Sequence, residues 1–167
     1  MVKTYSECIR EYGSARKIAY LIKEEKLFRL ERGLYSTEKY EHLIVMVNKR
    51  YPQAVVSMHS AFYYNNLTDV VPNCLHIATA RNSTKINDKR ICQHFIPEKT
   101  LNIGVTNLIR NGIVIRTYDL ERLCIDLMKN RTKLPYDLYK EVVLSLRNRV
   151  HEIYPAKIDD YLDAFPY

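Results

Sequence analysis

Residues 13–36 read GSARKIAYLIKEEKLFRLERGLYS. Gly13 suits a helix stop, because glycine enters the left-handed conformation without a Cβ clash. Ser14 can cap a second helix by offering its hydroxyl oxygen to a backbone N–H of the first turn. Ala15, Ile18, Ala19 and Ile22 then make an apolar face, with Arg16, Lys17, Tyr20, Lys23 and Glu24 largely opposite. Leu27–Leu30 and Leu34–Tyr35 read as two short strands. Glu31-Arg32-Gly33 turns between them, with Gly33 where positive φ is needed. Upstream, Tyr5, Cys8, Ile9 and Tyr12 recur at helical spacing over residues 4–12. Helix, tight turn, helix, then hairpin is the order of a winged helix-turn-helix, here within the first 35 residues.

A recognition helix enters the major groove with its N-terminal residues near the base edges. Here those residues are Ser14, Arg16, Lys17 and Tyr20, followed by Lys23. Arginine reads guanine through a bidentate pair, while lysine and serine serve bases or phosphates. Lys26, Arg29 and Arg32 on the wing are spaced to track phosphates. Residues 14–35 hold six basic side chains against three acidic ones, and Glu24 and Glu25 come late in the helix, away from its entering end. The competing reading is a solvated helix face beside an edge hairpin.

Outward from this element, residues 38–50 read as a helix with Tyr40, Leu43, Ile44 and Val47 inward, stopped by Tyr51-Pro52. Val55-Val56 is a short apolar step. A helix over 57–65 carries Met58, Ala61 and Phe62 on one face. The middle is β-rich, with alternation over 75–80 and 91–96. Asn111-Gly112 is a two-residue hairpin signal between Val105–Ile109 and Ile113–Thr117. Asp119 caps a helix bearing Leu120, Leu123, Cys124 and Leu127. Pro135 opens a long helix with Tyr139, Val142, Val143, Leu146 and Val150 inward, and a short acidic helix near Ile158–Phe165 follows.

The 167 residues suffice for a small module plus a modest second domain. The net charge of +7 is uneven. Residues 1–50 carry 11 Lys and Arg against 7 Asp and Glu, residues 80–116 carry 7 against 2, and residues 150–167 carry 1 against 4. A basic excess favours polyanionic partners, nucleic acid above all. Cys8, Cys74, Cys92 and Cys124 form no CxxC pair and sit in apolar stretches. They are expected to be buried free thiols in a reducing compartment. The start shows no signal-peptide core and no apolar run approaches membrane-spanning length, so a cytoplasmic location without membrane association is expected.

His42, His59, His76, His94 and His151 lack metal spacing such as HxxxH. His76 and His94 could be cross-strand neighbours, but a zinc site would need further ligands. The expectation is no metal and no cofactor. A Gly-rich phosphate loop, GxSxG and HExxH are absent, and no cluster of carboxylates suits a metal nuclease, so no catalytic residues are expected. Asp119, Glu121, Arg122 and Asp126 gather at one helix start. Capping, dipole compensation and an Arg122–Asp126 pair at i+4 account for them better than a partner contact.

Three blocks carry a family resemblance. Residues 13–36 resemble the N-terminal winged helix of AbiEi-type antitoxins of bacterial type IV toxin–antitoxin (abortive infection) systems. SMHSAFYYNNLTDVVPNCLHIATAR (57–81) is similar to the opening of their second domain, a Ser-Ala helix running into a Leu-Thr-Asp turn, a proline and a strand. IRTYDLERLCIDLMKNR (115–131) is similar to the family's helix after the β-hairpin. The resemblance implies that the winged helix binds inverted repeats in its own promoter and represses the operon. It implies that the second domain counters a neighbouring nucleotidyltransferase toxin without needing a stable complex. The positions matching the DNA-reading element are Ser14, Arg16, Lys17, Tyr20, Arg29, Arg32 and Tyr35. Those matching the second-domain motifs are Ser60, Tyr64, Thr68, Asp69, Glu121, Arg122 and Asp126, many of them suited to holding the fold. The module departs from the family by its shortness, since a full winged helix usually carries three helices; either the 38–50 helix completes it or the module is pared down.

The sequence therefore predicts an α+β protein. Residues 1–50 form a winged helix-turn-helix for double-stranded DNA, packed on a mixed α/β antitoxin-like domain over 51–167. The expected function is an antitoxin that doubles as an autorepressor. The alternatives are a stand-alone winged-helix regulator whose second domain dimerises or senses a ligand, and a protein-interaction module with a basic face.

Overall fold

A computed structural model describes residues 1–165; the end of the expected 51–167 domain, residues 166 and 167, lies outside it. The chain is α+β and divides into two units, Met1–Gln53 and Ala54–Tyr167.

In the first unit, β1 (Lys3–Thr4) leads directly into α1 (Tyr5–Tyr12). Thr4 and Glu7 form a reciprocal capping box: Glu7 N–H donates to Thr4 Oγ1 at 3.3 Å, and Thr4 N–H donates to Glu7 Oε2 at 2.7 Å. Gly13, at φ 84°, ends α1 and donates its N–H to the Ile9 carbonyl. Ser14 then caps α2 (Ala15–Lys23), accepting from Lys17 N–H at 3.2 Å. A hairpin of β2 (Phe28–Glu31) and β3 (Leu34–Ser36) turns at Gly33, φ 80°. The two-residue β1 was not expected from the sequence. It pairs antiparallel with β3, which becomes the centre of a three-stranded sheet. Cys8, Ile18, Leu27 and Tyr35 form the core.

Two expectations fail here. The inward face of α2 is Ile18 with half-buried Leu21; Ala15, Ala19 and Ile22 face solvent. The helix expected over 38–50 is shorter, α3 (Leu43–Arg50), and Tyr40 is 82% exposed rather than inward. Buried Ser36 explains the late start. Its Oγ accepts from Glu38 N–H and donates to Glu41 Oε1 at 2.7 Å, holding residues 36–41 in a turn.

The second unit is built on a five-stranded mixed sheet of order β6-β5-β4-β8-β7. Its strands are β4 (Val55–Val56), β5 (Leu75–Ala80), β6 (Ile91–Ile96), β7 (Val105–Arg110) and β8 (Ile113–Tyr118). β7 and β8 make the expected hairpin; Asn111 at φ 50° and Gly112 at φ 76° supply the two left-handed positions its turn requires. β5 and β6 run parallel, joined by residues 81–90 without a helix. Gln93 pins that loop, its Oε1 accepting from Ile86 N–H and its Nε2 donating to the Thr84 carbonyl.

The helices are α4 (Met58–Tyr64), the short α5 (Glu98–Leu101), α6 (Leu120–Lys129), α7 (Tyr136–Asn148) and α8 (Pro155–Asp163). Val55, Phe62, Leu67, Ile77, Ile115, Leu123 and Val142 form the fully buried apolar centre. Of the inward face expected for α7, Val142 and Leu146 are buried and Tyr139 is half-buried, but Leu138 takes the place of Val143 and Val150. Leu138, Val142 and Leu146 point inward at i, i+4, i+8, while Val143 and Val150 are exposed.

The cysteine expectation also needs correction. Cys8 and Cys124 are free, but Cys74 and Cys92 form a disulfide, with Cα atoms 5.9 Å apart. Parallel pairing sets His76 opposite Cys92, which brings Cys74 within reach of Cys92 although they are 18 residues apart in sequence. Among the described residues, no helix is long and apolar enough to cross a membrane.

Candidate nucleic-acid interface

The first unit holds three of its cationic side chains in ion pairs. Lys3, Lys49 and Arg50 are held by Glu11, Glu7 and Glu31 at 2.6, 2.6 and 2.9 Å. Arg50 also donates to the Arg32 carbonyl at 2.7 Å, so it braces the hairpin turn while neutralising the hairpin's one acidic residue. Among the described residues, Arg16, Lys17, Lys23, Lys26, Arg29 and Arg32 are all exposed and none forms a salt bridge. These six lie on α2, the segment after it and the hairpin. Lys17 sits over the ring of Tyr20, 5.2 Å from its centroid, and Tyr20 is 49% exposed. A cation held over an aromatic face suits contact with phosphate and base together.

Ser14 is exposed as well, but its hydroxyl oxygen is engaged in the cap. It therefore positions the helix and keeps its hydroxyl hydrogen for an acceptor outside. Tyr35 does not belong with these residues. It is 8% exposed and packs in the core beside Cys8 and Leu27, because β3 has a strand on either side. Period-two alternation over three residues cannot tell which face is buried.

In the second unit six of the seven motif residues are buried or half-buried, and Asp69 is exposed. Ser60 Oγ accepts from His76 N–H at 2.8 Å and donates to the Cys74 carbonyl at 3.3 Å, tying α4 to β5. Thr68 donates to Glu141 Oε2, and the N–H of exposed Asp69 donates to Glu141 Oε1, both at 3.0 Å. Tyr64 is half-buried, edge-on to Tyr63, and burial pushes its phenol upward. Glu121 is buried and accepts from Tyr154 N–H and Lys157 Nζ.

Arg122 is 1% exposed and is the polar centre of the unit. Its Nη1 donates to the carbonyls of Thr100 and Ile103 at 2.6 and 2.8 Å, and its Nε to Asp126 at 3.0 Å. The guanidinium also stacks between Tyr118 and Phe165. Burial raises the Asp126 carboxyl, and Arg122 opposes that rise. Guanidinium and carboxylate satisfy each other, which is how paired charges persist in an interior.

A cavity of about 500 Å³ opens beside this group, lined by Ser57, His94, Arg122, Lys129, Asn130 and Lys133 among others. His76 and His94 are cross-strand neighbours, with His76 Nδ1 2.9 Å from His94 Nε2 and the rings stacked. Burial holds both imidazoles below the usual range, His76 at about 4. No family model matches the chain, and no curated protein matches it.

Proposed function

We propose that the chain is a DNA-binding autorepressor with antitoxin activity. In this reading residues 1–53 act as a winged helix-turn-helix. α2 enters the major groove, with Arg16 and Lys17 near base edges and Tyr20 beside them, and Lys26, Arg29 and Arg32 flank it on phosphates. The supporting observation is a concentration of charge: of the eight Lys and Arg side chains of the first unit outside the Lys3, Lys49 and Arg50 ion pairs, six lie on α2, the segment after it and the hairpin, with Arg10 and Lys39 elsewhere and Glu24 and Glu25 at the end of α2.

The antitoxin half rests on the resemblance of residues 57–81 and 115–131 to AbiEi-type second domains. The inward motif residues fit a scaffold role there. An antagonist of a nucleotidyltransferase toxin would then work through surface or cavity groups other than Ser60, Thr68, Glu121, Arg122 and Asp126.

The test has two arms. Purified chain is footprinted on the DNA upstream of its own gene at low salt, and it is co-expressed with an adjacent nucleotidyltransferase toxin. Protection of an inverted repeat together with relief of toxicity is the expected result. No footprint overturns the repressor half. A footprint without relief leaves a stand-alone regulator. Contact of Lys26, Arg29 and Arg32 with three phosphates also means that affinity falls about 40-fold between roughly 50 and 200 mM salt.

A further inference from the structure

We propose that Cys74, His76 and Cys92 form a zinc-binding site that becomes available when the Cys74–Cys92 disulfide is reduced. Cys74 immediately precedes β5 and is tied to Cys92 by the disulfide, His76 is the second residue of β5, and Cys92 and His94 lie two apart on β6. Side chains two apart on a strand share a face, and the parallel register sets His76 opposite Cys92. The four groups therefore gather on one side of the two strands at this sheet edge. The sequence hides this, because C-x-H followed by C-x-H becomes a cluster only through strand pairing.

The two sulfurs, bonded to each other here, must separate to about 3.8 Å on reduction to form a tetrahedral set with His76. The ligand atoms of Cys74, His76 and Cys92 lie within 4.8 Å of one another, the only such Cys, His and carboxylate group among the described residues. Cys74 Sγ is 3.6 Å from His76 Nε2. Zinc with Zn–S about 2.3 Å and Zn–N about 2.0 Å spaces adjacent tetrahedral ligands by about 3.5 Å. His76 Nδ1 faces His94 Nε2 at 2.9 Å. A proton on His76 Nδ1, donated to His94, leaves the Nε2 lone pair aimed towards the sulfurs. His94 is then the positioning residue that fixes ring and tautomer. All four side chains are half-buried, so an ion can enter. Two thiolates and one imidazole select a borderline-soft ion, and three protein ligands leave a fourth position for water.

A thiol reductant gives two electrons and two protons to the Cys74–Cys92 bond and is itself oxidised to a disulfide. The two thiols formed release two protons as both sulfurs bind Zn²⁺. Oxidation of the pair reverses this and expels the ion, so disulfide and metal are exclusive states of the same sulfurs.

The test uses the full chain, stripped of metal, under anaerobic conditions. One sample is reduced with a phosphine, and one keeps its disulfide. Each is titrated with Co²⁺ and then Zn²⁺. The reduced chain is expected to bind one Co²⁺ with thiolate-to-cobalt charge-transfer absorption and the intense visible bands of a four-coordinate ion, both erased by one Zn²⁺. The disulfide form shows neither. His76→Ala removes binding, while His94→Ala weakens it about 10–100-fold. Replacing Cys8 and Cys124 together by serine changes nothing. A reduced wild-type chain without charge-transfer absorption overturns the proposal, as does unchanged binding in His76→Ala or loss of binding in the Cys8/Cys124 variant. The comparison of reduced with oxidised wild-type chain stands even if a single variant fails to fold.

Discussion

Arg122 and Asp126 sit one turn apart on α6, both buried, with the guanidinium Nε 3.0 Å from the carboxylate. Arg122 also closes the carbonyls of Thr100 and Ile103, so three elements converge on one side chain. Removing one partner of such a pair strands the other charge in the interior. Arg122→Ala is expected to cost the second unit at least about 3 kcal/mol, read as a lowered urea midpoint by tyrosine fluorescence. Arg122→Lys should recover little, because an ammonium cannot reproduce the planar fork that reaches both the carboxylate and the carbonyls. A midpoint unmoved by Arg122→Ala would remove the pair from any structural role.

Gly104 supports the same centre from the backbone side. It sits at φ +72°, and a Cβ there would lie 2.6 Å from Arg122 Cβ and 2.9 Å from Asp119 Oδ1. Gly112, at φ +76°, has nothing within 4 Å of that position. Gly112→Ala therefore meets only the left-handed backbone penalty, about 1–2 kcal/mol. Gly104→Ala meets that penalty and a clash with a buried network. Thermal unfolding of the two variants should show Gly104→Ala losing clearly more; equal losses would mean that α6 yields without cost.

In the first unit, Glu7 links the start of α1 to α3. Its carboxylate accepts from Lys49 Nζ at 2.6 Å and from Thr4 N–H, which together hold it at about 2, against an ordinary value of 4.5. A carboxyl lowered on folding stabilises the folded state fully above its unfolded value and ceases to do so as pH falls through the folded one. This contribution should therefore be constant above about pH 5 and vanish between roughly 4.5 and 2. Glu7→Gln should differ from wild type at pH 6 and converge with it near pH 2 in chemical denaturation. A gap that persists at pH 2 would assign the effect to packing.

The signals legible in the sequence were those that a single residue's chemistry dictates. Gly13 stops a helix, Ser14 and Asp119 cap helices, and Asn111-Gly112 turns a hairpin wherever the rest of the chain lies. Pairings decided at a distance were not legible. β1 is two residues long and exists only by pairing with β3, and that pairing buries Tyr35. Short amphipathic helices left the inward faces of α2 and α7 partly open, since Ile22 and Val143 are as apolar as the residues that won the interior. His76 and His94 were legible as possible cross-strand neighbours, but the two cysteines beside them were not. Residues 74, 76, 92 and 94 meet only after β5 and β6 adopt their parallel register.

The DNA-binding reading makes its sharpest prediction by separating residues that composition treats alike. Arg16 lies in the first turn of α2, where side chains reach base edges, and Arg32 lies in the hairpin turn, where they reach phosphates. Arg16→Ala should lose about 1–3 kcal/mol of discrimination between the operator and a variant changed at the contacted base. Arg32→Ala should weaken all sequences uniformly and lower the slope of log K against log salt by about one. The two tyrosines give an internal control. Tyr20→Ala removes an exposed ring beside Lys17 and should reduce affinity, whereas Tyr35→Phe keeps a core ring in place and should not. Fluorescence anisotropy across salt concentrations and operator variants reads all four. Equal behaviour of Arg16→Ala and Arg32→Ala would mean that α2 lies across the backbone and not in the groove, and the basic stretch would then bind polyanions without reading sequence.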